Sequence, residues 1–283
     1  MGTRCFLVSG TTSGIGLATA RALAATGGTV VTANRDPDRG ESTAALLRDA
    51  TSNPNVINTV CNLSSLASVR SCAARIREQF PRIDVLINNA GVWTAKPQLS
   101  EDGFELSFAT NHLGPFLLTH MLLEPLRAAG GARIVNVASV QHRAADLDLD
   151  HLTPKTPYRG LRAYSRSKLA NVMTTLAFAR RFDAAEISAN CLHPGVVASN
   201  IVPENSPLLR RAARVVSGLM RSPARGAATS IYLATSPEVT GVTGKYFDPD
   251  QRIIQPSAEA RDEAAQDLLW ERSLELTGLA EAG

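Results

Sequence analysis

Short apolar and β-branched runs alternate along this chain with longer stretches of helical period, and that alternation constrains the fold more than any other feature. The runs fall at residues 5–9, 29–33, 56–61, 85–88, 134–138, 187–192 and 245–247. Several, such as "CFLVS" and "VLIN", are almost wholly apolar, as expected for strands covered on both faces of a sheet. Between them, "GLATARALAAT", "LASVRSCAARIREQF" and "AYSRSKLANVMTTLAFARRF" space their apolar residues as covering helices do. No linker, repeat or low-complexity tract interrupts the pattern. The expectation is a single doubly wound α/β domain over residues 1–283, with a seven-stranded parallel sheet and helices on both faces.

Two segments are too long for simple connections. Residues 141–161, "QHRAADLDLDHLTPKTPYRGL", form a polar insertion between a strand and a helix. Residues 198–222, "ASNIVPENSPLLRRAARVVSGLMRS", are basic, amphipathic and flanked by proline, which suits a lid over a substrate or else a membrane contact. Residues 258–276 read as a C-terminal helical tail. A net charge of +3, from 29 basic and 26 acidic residues, is too small to argue for nucleic acid as a partner. No apolar run approaches the ~18 residues of a membrane span, and the N-terminus enters a strand without a signal-peptide core. Cys5, Cys61, Cys72 and Cys191 are far apart and lack a C-x-x-C pair, so they read as buried thiols rather than disulfides or metal ligands. The chain reads as cytoplasmic and free of a metal.

At the first strand-to-helix passage stands "VSGTTSGIG", with Gly10, Gly14 and Gly16 spaced G-x-x-x-G-x-G. Glycines there let backbone approach a pyrophosphate, whose charge the free N–H groups of a helix start would receive; a plain connecting turn has the same composition. Further on, "AYSRSKLAN" sets Tyr164 and Lys168 four residues apart, hence on one helix face. A cation at that distance favours phenolate, whereas the bland reading of such a pair is a solvated surface contact.

Taken together, "GTTSGIG", "NNAG" at 88–91, Ser139 after the fifth strand, Tyr164-x-x-x-Lys168 and "HPG" at 193–195 resemble the short-chain dehydrogenase/reductase family, in its order. "FELSFATNHLG", "YSRSKLANVM", "HPGVV" and "GKYF" are similar to the branch of retinol dehydrogenases and WW-domain-containing oxidoreductases, and more distantly to protochlorophyllide reductases. The resemblance implies a Rossmann fold and a catalytic set of Asn111, Ser139, Tyr164 and Lys168. It places a nicotinamide dinucleotide on Gly10, Thr12, Ser13, Gly14, Ile15, Gly16, Arg35, Asn62, Leu63, Asn89, Ala90 and Gly91. Tyr164, Lys168, Pro194, Gly195, Val197 and Ser199 complete that set. Tyr164 would exchange the proton that accompanies hydride transfer, Lys168 would lower its pKa and hold ribose hydroxyls, and Ser139 would bond the substrate oxygen. The backbone carbonyl of Asn111 would hold a relaying water. Pro115, four residues on, has no N–H to occupy that carbonyl; the alternative is a mere kink.

Cofactor choice turns on "VTANRDPDRG". A cofactor without the 2′-phosphate needs an acid at the end of the second strand, but Asn34 and then Arg35 stand there, favouring NADP(H) over NAD(H). The related branch carries aspartate where this chain has Asn62 beside the adenine; an amide oxygen can still accept from the adenine amino group, so weaker binding is expected. Trp93, Gln141 and His142 are expected in the substrate pocket, and His112 and His193 as structural residues. The expected activity is hydride transfer to a ketone or aldehyde, or from a secondary alcohol, on a bulky apolar small molecule. The alternatives are reduction of a carbon–carbon double bond on the same fold, or a non-catalytic NADPH-binding scaffold. A second copy of the chain is a further expected partner.

Overall fold

A computed structural model describes residues 3–147, 157–197 and 221–279. Its centre is one eight-stranded sheet in the order β3-β2-β1-β4-β5-β6-β7-β8. The strands are β1 (Cys5–Ser9), β2 (Thr29–Asn34), β3 (Val56–Val60), β4 (Val85–Asn88), β5 (Ala132–Val137), β6 (Ile187–Leu192), β7 (Tyr246–Phe247) and β8 (Ile253–Ile254). The first seven run parallel, and β8 pairs antiparallel with β7 through Tyr246–Ile254 and Phe247–Ile253.

The seven expected strands are all present, with ends shifted by one or two residues. The eighth was not anticipated, because two residues carry no period; a turn with Gln251 at φ 66° returns the chain to the sheet edge.

Helices cover both faces. On one lie α1 (Gly14–Ala24), α2 (Pro37–Thr51) and α8 (Pro223–Thr235), whose Leu23, Leu47 and Leu233 pack with Phe6, Val8 and Phe247. On the other lie α3 (Leu66–Gln79), α5 (Gly114–Met121), α6 (Leu123–Arg127), α7 (Gly160–Arg181) and α9 (Glu263–Thr277). There Ile76, Phe116, Leu117, Phe178 and Trp270 close over Leu7, Leu86 and Ile134. Each such side chain contributes about 1.5–3 kcal/mol on burial. This is why the central strands are apolar on both faces: β1 is buried at all of Cys5–Ser9. The four cysteines are buried and free.

The insertion at 141–161 is only partly a loop. Ser139 caps a 3₁₀ helix at Val140–Ala144, and α7 begins at Gly160, ahead of the expected start. Residues 148–156 of the insertion, residues 198–220 of the expected lid, and Ser199 lie outside the described residues. Among the described residues no helix is long and apolar enough to cross a membrane, and no cluster of side chains could hold a metal ion.

The strand order reverses direction between β1 and β4, where an open α/β sheet has its crevice. Asn89 and Ser9 pin the two strand ends together there. The Asn89 amide donates to the carbonyls of Ser9 (2.9 Å) and Gly10 (3.1 Å), while the Ser9 hydroxyl accepts from the backbone N–H of Asn89 and of Ala90, both at 3.1 Å.

Candidate active site

The floor of the crevice is the turn from β1 into α1. Gly10 has φ +70°, and a Cβ there would stand 2.8 Å from the Ala90 Cα; a Cβ on Gly16 would overlap the Gly10 carbonyl oxygen. The turn can close this tightly only without side chains. Ser13 caps α1 in extended conformation without a side-chain cap bond, so the N–H groups of the first turn remain available at the positive end of the helix dipole. Such an arrangement suits an anion such as a pyrophosphate. A groove runs across it, with Thr12, Ser13, Gly14 and Ile15 on one side and Asn89, Ala90 and Gly91 on the other. Arg35, Asn62 and Leu63 line its far end.

On the β5 side, α7 carries Tyr164 and Lys168 on its buried face, 8% and 2% exposed. Lys168 Nζ donates to the Val137 carbonyl at 2.8 Å and lies 5.8 Å from the centroid of the Tyr164 ring. Ser139 follows β5 directly, its hydroxyl accepts from the Gln141 N–H at 3.2 Å, and it acts to lower the pKa of the Tyr164 phenol. Burial pushes the Tyr164 pKa up, and Ser139 only partly opposes it. Burial also pulls Lys168 down to about 8. The expected depression of the tyrosine by its neighbour is therefore not what this environment produces. Both groups share a site of low dielectric in which charging either one is costly, and the ammonium is turned to a backbone carbonyl.

Asn111 lies in a π-helical turn, Ala109–Leu113, between the short helix α4 (Leu106–Phe108) and α5. The Gly114 N–H reaches back five residues to the Ala109 carbonyl, and Pro115 follows without an N–H. The widened turn thus sits where the sequence leaves a helical bond unmade. The side chain of Asn111 is engaged at both its oxygen and its amide: the oxygen accepts from the Val92 N–H at 2.7 Å, and the amide donates to the Val92 carbonyl and to Ser167 Oγ, both at 2.9 Å. Ser167 in turn donates to the Tyr164 carbonyl at 2.7 Å. Gly91 makes room at the junction, since a Cβ there would come within 3.3 Å of Lys168 Nζ and 3.5 Å of the Asn111 oxygen.

At the far end, Asn34 is a structural pin: its oxygen accepts from the Thr11 N–H at 2.8 Å and its amide donates to Asn58 Oδ1 at 3.0 Å. Asp36 caps α2, accepting from the N–H groups of Asp38 (3.1 Å) and Arg39 (3.0 Å). Arg35 and Arg39 both line the groove, and neither forms an ion pair among the described residues. Asn62 corrects an expectation. Its oxygen already accepts from the Ser64 N–H (3.2 Å) and the Ser64 hydroxyl (2.8 Å), which use both lone pairs. That oxygen is not open to an adenine amino group.

A family model described as "short chain dehydrogenase" matches residues 4–208. The chain belongs to the short-chain dehydrogenase family. It is 39% identical to human (Homo sapiens) retinol dehydrogenase 13 over 96% of this chain and 84% of that one. It is 40% identical to human retinol dehydrogenase 14 over 96% of this chain and 86% of that one. Among solved structures, an uncharacterized protein from Mycobacterium paratuberculosis superimposes with a TM-score of 0.77 at 30% identity, covering 99% of this chain and 95% of that one. The retinol-dehydrogenase branch is the one that the motifs resembled. As a member of this family the chain is an oxidoreductase whose fold binds a nicotinamide cofactor.

In this short-chain dehydrogenase the remaining expected positions divide. Pro194, Gly195 and Val197 stand on the loop after β6, beside the groove rather than in its wall. Gly195 has φ +79°, and Val197 pairs with Arg221 and faces Gly226 of α8, which also abuts Ile15. Trp93 is half-buried against Gly160, its indole N–H without a hydrogen-bond partner among the described residues. Gln141 is half-buried beside Ser139. His142 corrects the substrate-pocket expectation: it is wholly buried, donates from Nδ1 to the Ser139 carbonyl at 2.7 Å, and accepts at Nε2 from the Ser257 N–H at 3.2 Å. Its ring is a strut behind Ser139.

The sequence reading missed Ser64 and Thr110 in the groove wall, and Ser167 behind Asn111, small polar residues with no pattern of their own. It also missed Tyr158, which donates to Glu105 at 2.9 Å and bonds Thr94 at 2.7 Å, tying the start of α7 to the loop after β4. An aromatic residue inside a polar insertion was the available signal.

Proposed function

We propose that this chain is an NADP(H)-dependent dehydrogenase/reductase that transfers hydride between nicotinamide and a ketone or aldehyde, or the corresponding alcohol, with Tyr164 as general acid and base. The observation that carries the reading is the convergence of Ser139, Tyr164 and Lys168 at the C-terminal end of β5, one step across the crevice from the glycine cradle. The cradle suits a dinucleotide, because Gly10 and Gly16 let the turn close against Ala90 and Asn89 and the first N–H groups of α1 stay available to a pyrophosphate. When bound, the dinucleotide supplies or takes up the hydride.

The chain's own residues handle the proton and the oxygen. Ser139 and Tyr164, whose hydroxyls are close enough for the serine to lower the tyrosine pKa, would both bond a substrate oxygen as charge develops on it. A buried phenol held above its ordinary pKa keeps its proton until such an oxygen needs it, which suits the reductive direction. Lys168, brought to about 8, can give up and regain a proton near neutral pH behind the tyrosine. Asn111 and Ser167 fix the backbone of Val92 and of Tyr164, and so the distance between the two walls of the site.

Preference for the 2′-phosphate rests on Arg35 and Arg39, cations on the groove, and on Asp36 being engaged as the α2 cap. The name shared by the relatives, retinol dehydrogenase, supports a bulky apolar alcohol or its carbonyl form as the substrate class. Incubating the purified chain with NADPH or NADH and a panel of apolar aldehydes and ketones tests the proposal. Cofactor consumption that depends on the carbonyl compound is expected; its absence across the panel, with dinucleotide binding intact, would reject it.

A further inference from the structure

The Ser64 backbone N–H can only donate, so the Asn62 atom facing it at 3.2 Å must be the amide oxygen. The Ser64 hydroxyl, 2.8 Å away, takes the second lone pair of that oxygen. The Asn62 NH₂ group is left over. It has no acceptor among the described residues, and Asn62 is a half-buried wall residue of the groove, not a surface one. Asn62 therefore offers this end of the groove two N–H donors and no acceptor.

What lies against it follows from the topology, and rests on the proposed dinucleotide reading. The α1 N-terminus, at the end of β1, takes the pyrophosphate, and the Tyr164–Lys168 side beyond β4 and β5 takes the nicotinamide half. The other half must extend over the ends of β2 and β3, where Arg35 and Asn62 stand. We infer that Asn62 meets the 6-position of the cofactor's purine as a hydrogen-bond donor and does not accept from the 6-amino group of adenine. The site would consequently tolerate or prefer a 6-oxopurine, which presents an acceptor where adenine presents a donor.

Isothermal titration of the full chain with NADPH, NADH and the hypoxanthine counterpart of each decides this by affinity alone. The hypoxanthine form of whichever cofactor binds more tightly should bind within threefold of the adenine form, or better. Asn62→Asp should reverse the order and favour adenine about tenfold or more, because a carboxylate can keep Ser64 on one oxygen and offer the other to the 6-amino group. Ser64→Ala, which removes one of the two donors on the Asn62 oxygen, should move the ratio a few-fold in the same direction and serves if the first variant fails to fold. A tenfold or greater preference of the unaltered chain for adenine overturns the inference, as does an unchanged ratio in folded variants. If neither NADPH nor NADH binds, the dinucleotide reading falls and this inference with it; if one binds and only the ratio is wrong, this inference alone fails.

Discussion

Lys168 is anchored to the carbonyl of Val137, the last residue of β5, by a 2.8 Å hydrogen bond, and not to the tyrosine one turn before it. The helix places the two side chains on one face, but the strand end decides where the ammonium points. Being 2% exposed with no carboxylate beside it among the described residues, the ammonium is destabilised by burial and its pKa falls to about 8.

That burial has a consequence for stability. The folded pKa, about 8, lies below the ordinary 10.5, so between those values the unfolded chain binds more protons and the contribution to stability rises with pH. Lys168→Met removes the titration. Measured by urea unfolding, the wild type should gain up to about 3 kcal/mol on the variant as pH rises through this window. A constant difference between the two proteins would show that the ammonium is not paying a burial cost.

Tyr164→Phe should lower turnover by at least ~10²-fold, the lower end of what acid–base catalysis contributes, while dinucleotide affinity stays nearly unchanged. The ring would still fill its buried place, and only the hydroxyl is lost. Steady-state rates beside a binding titration check both halves; a variant turning over near the wild-type rate would remove Tyr164 from the proton step.

Arg35→Ala should weaken NADPH more than NADH. Arg35 stands on the groove without an ion pair among the described residues, and a charge-assisted bond to phosphate is worth ~1.5–3 kcal/mol, about tenfold or more in the affinity ratio. Equal weakening of both cofactors, or a wild type that already prefers NADH, would refute the assignment.

Acid should unfold the protein partly through His112. Its ring is wholly buried, with Nε2 hydrogen-bonded to Ser273 at 2.8 Å, and burial lowers its pKa to about 3. From the ordinary 6.5 down to about 3, the unfolded chain takes up a proton that the folded chain refuses, so stability falls as pH falls. His120, lowered to about 4, acts in the same sense. In His112→Gln the loss between pH 6 and 4 should be shallower, by up to about 1.4 kcal/mol per pH unit. Thermal melts across that range would detect it, and parallel curves for the two proteins would refute it.

The strand–helix alternation, the glycine turn, the Tyr164–Lys168 pair and the bond withheld by Pro115 were all legible in the sequence. Each depends on periodicity or on backbone chemistry within a few residues, which local order determines. Tertiary structure alone decided how the remaining hydrogen-bonding capacity was distributed. Asn62 lost its acceptor to Ser64, His142 turned both ring nitrogens to backbone, and Asn111 spent its amide on Val92 and Ser167. Asn111 and Ser167, like Ser139 and Tyr164, come from segments far apart in the chain and meet only when the sheet has formed. The rise of the Tyr164 pKa where spacing suggested a fall has the same origin, because desolvation depends on everything packed around a group rather than on its neighbour along the helix.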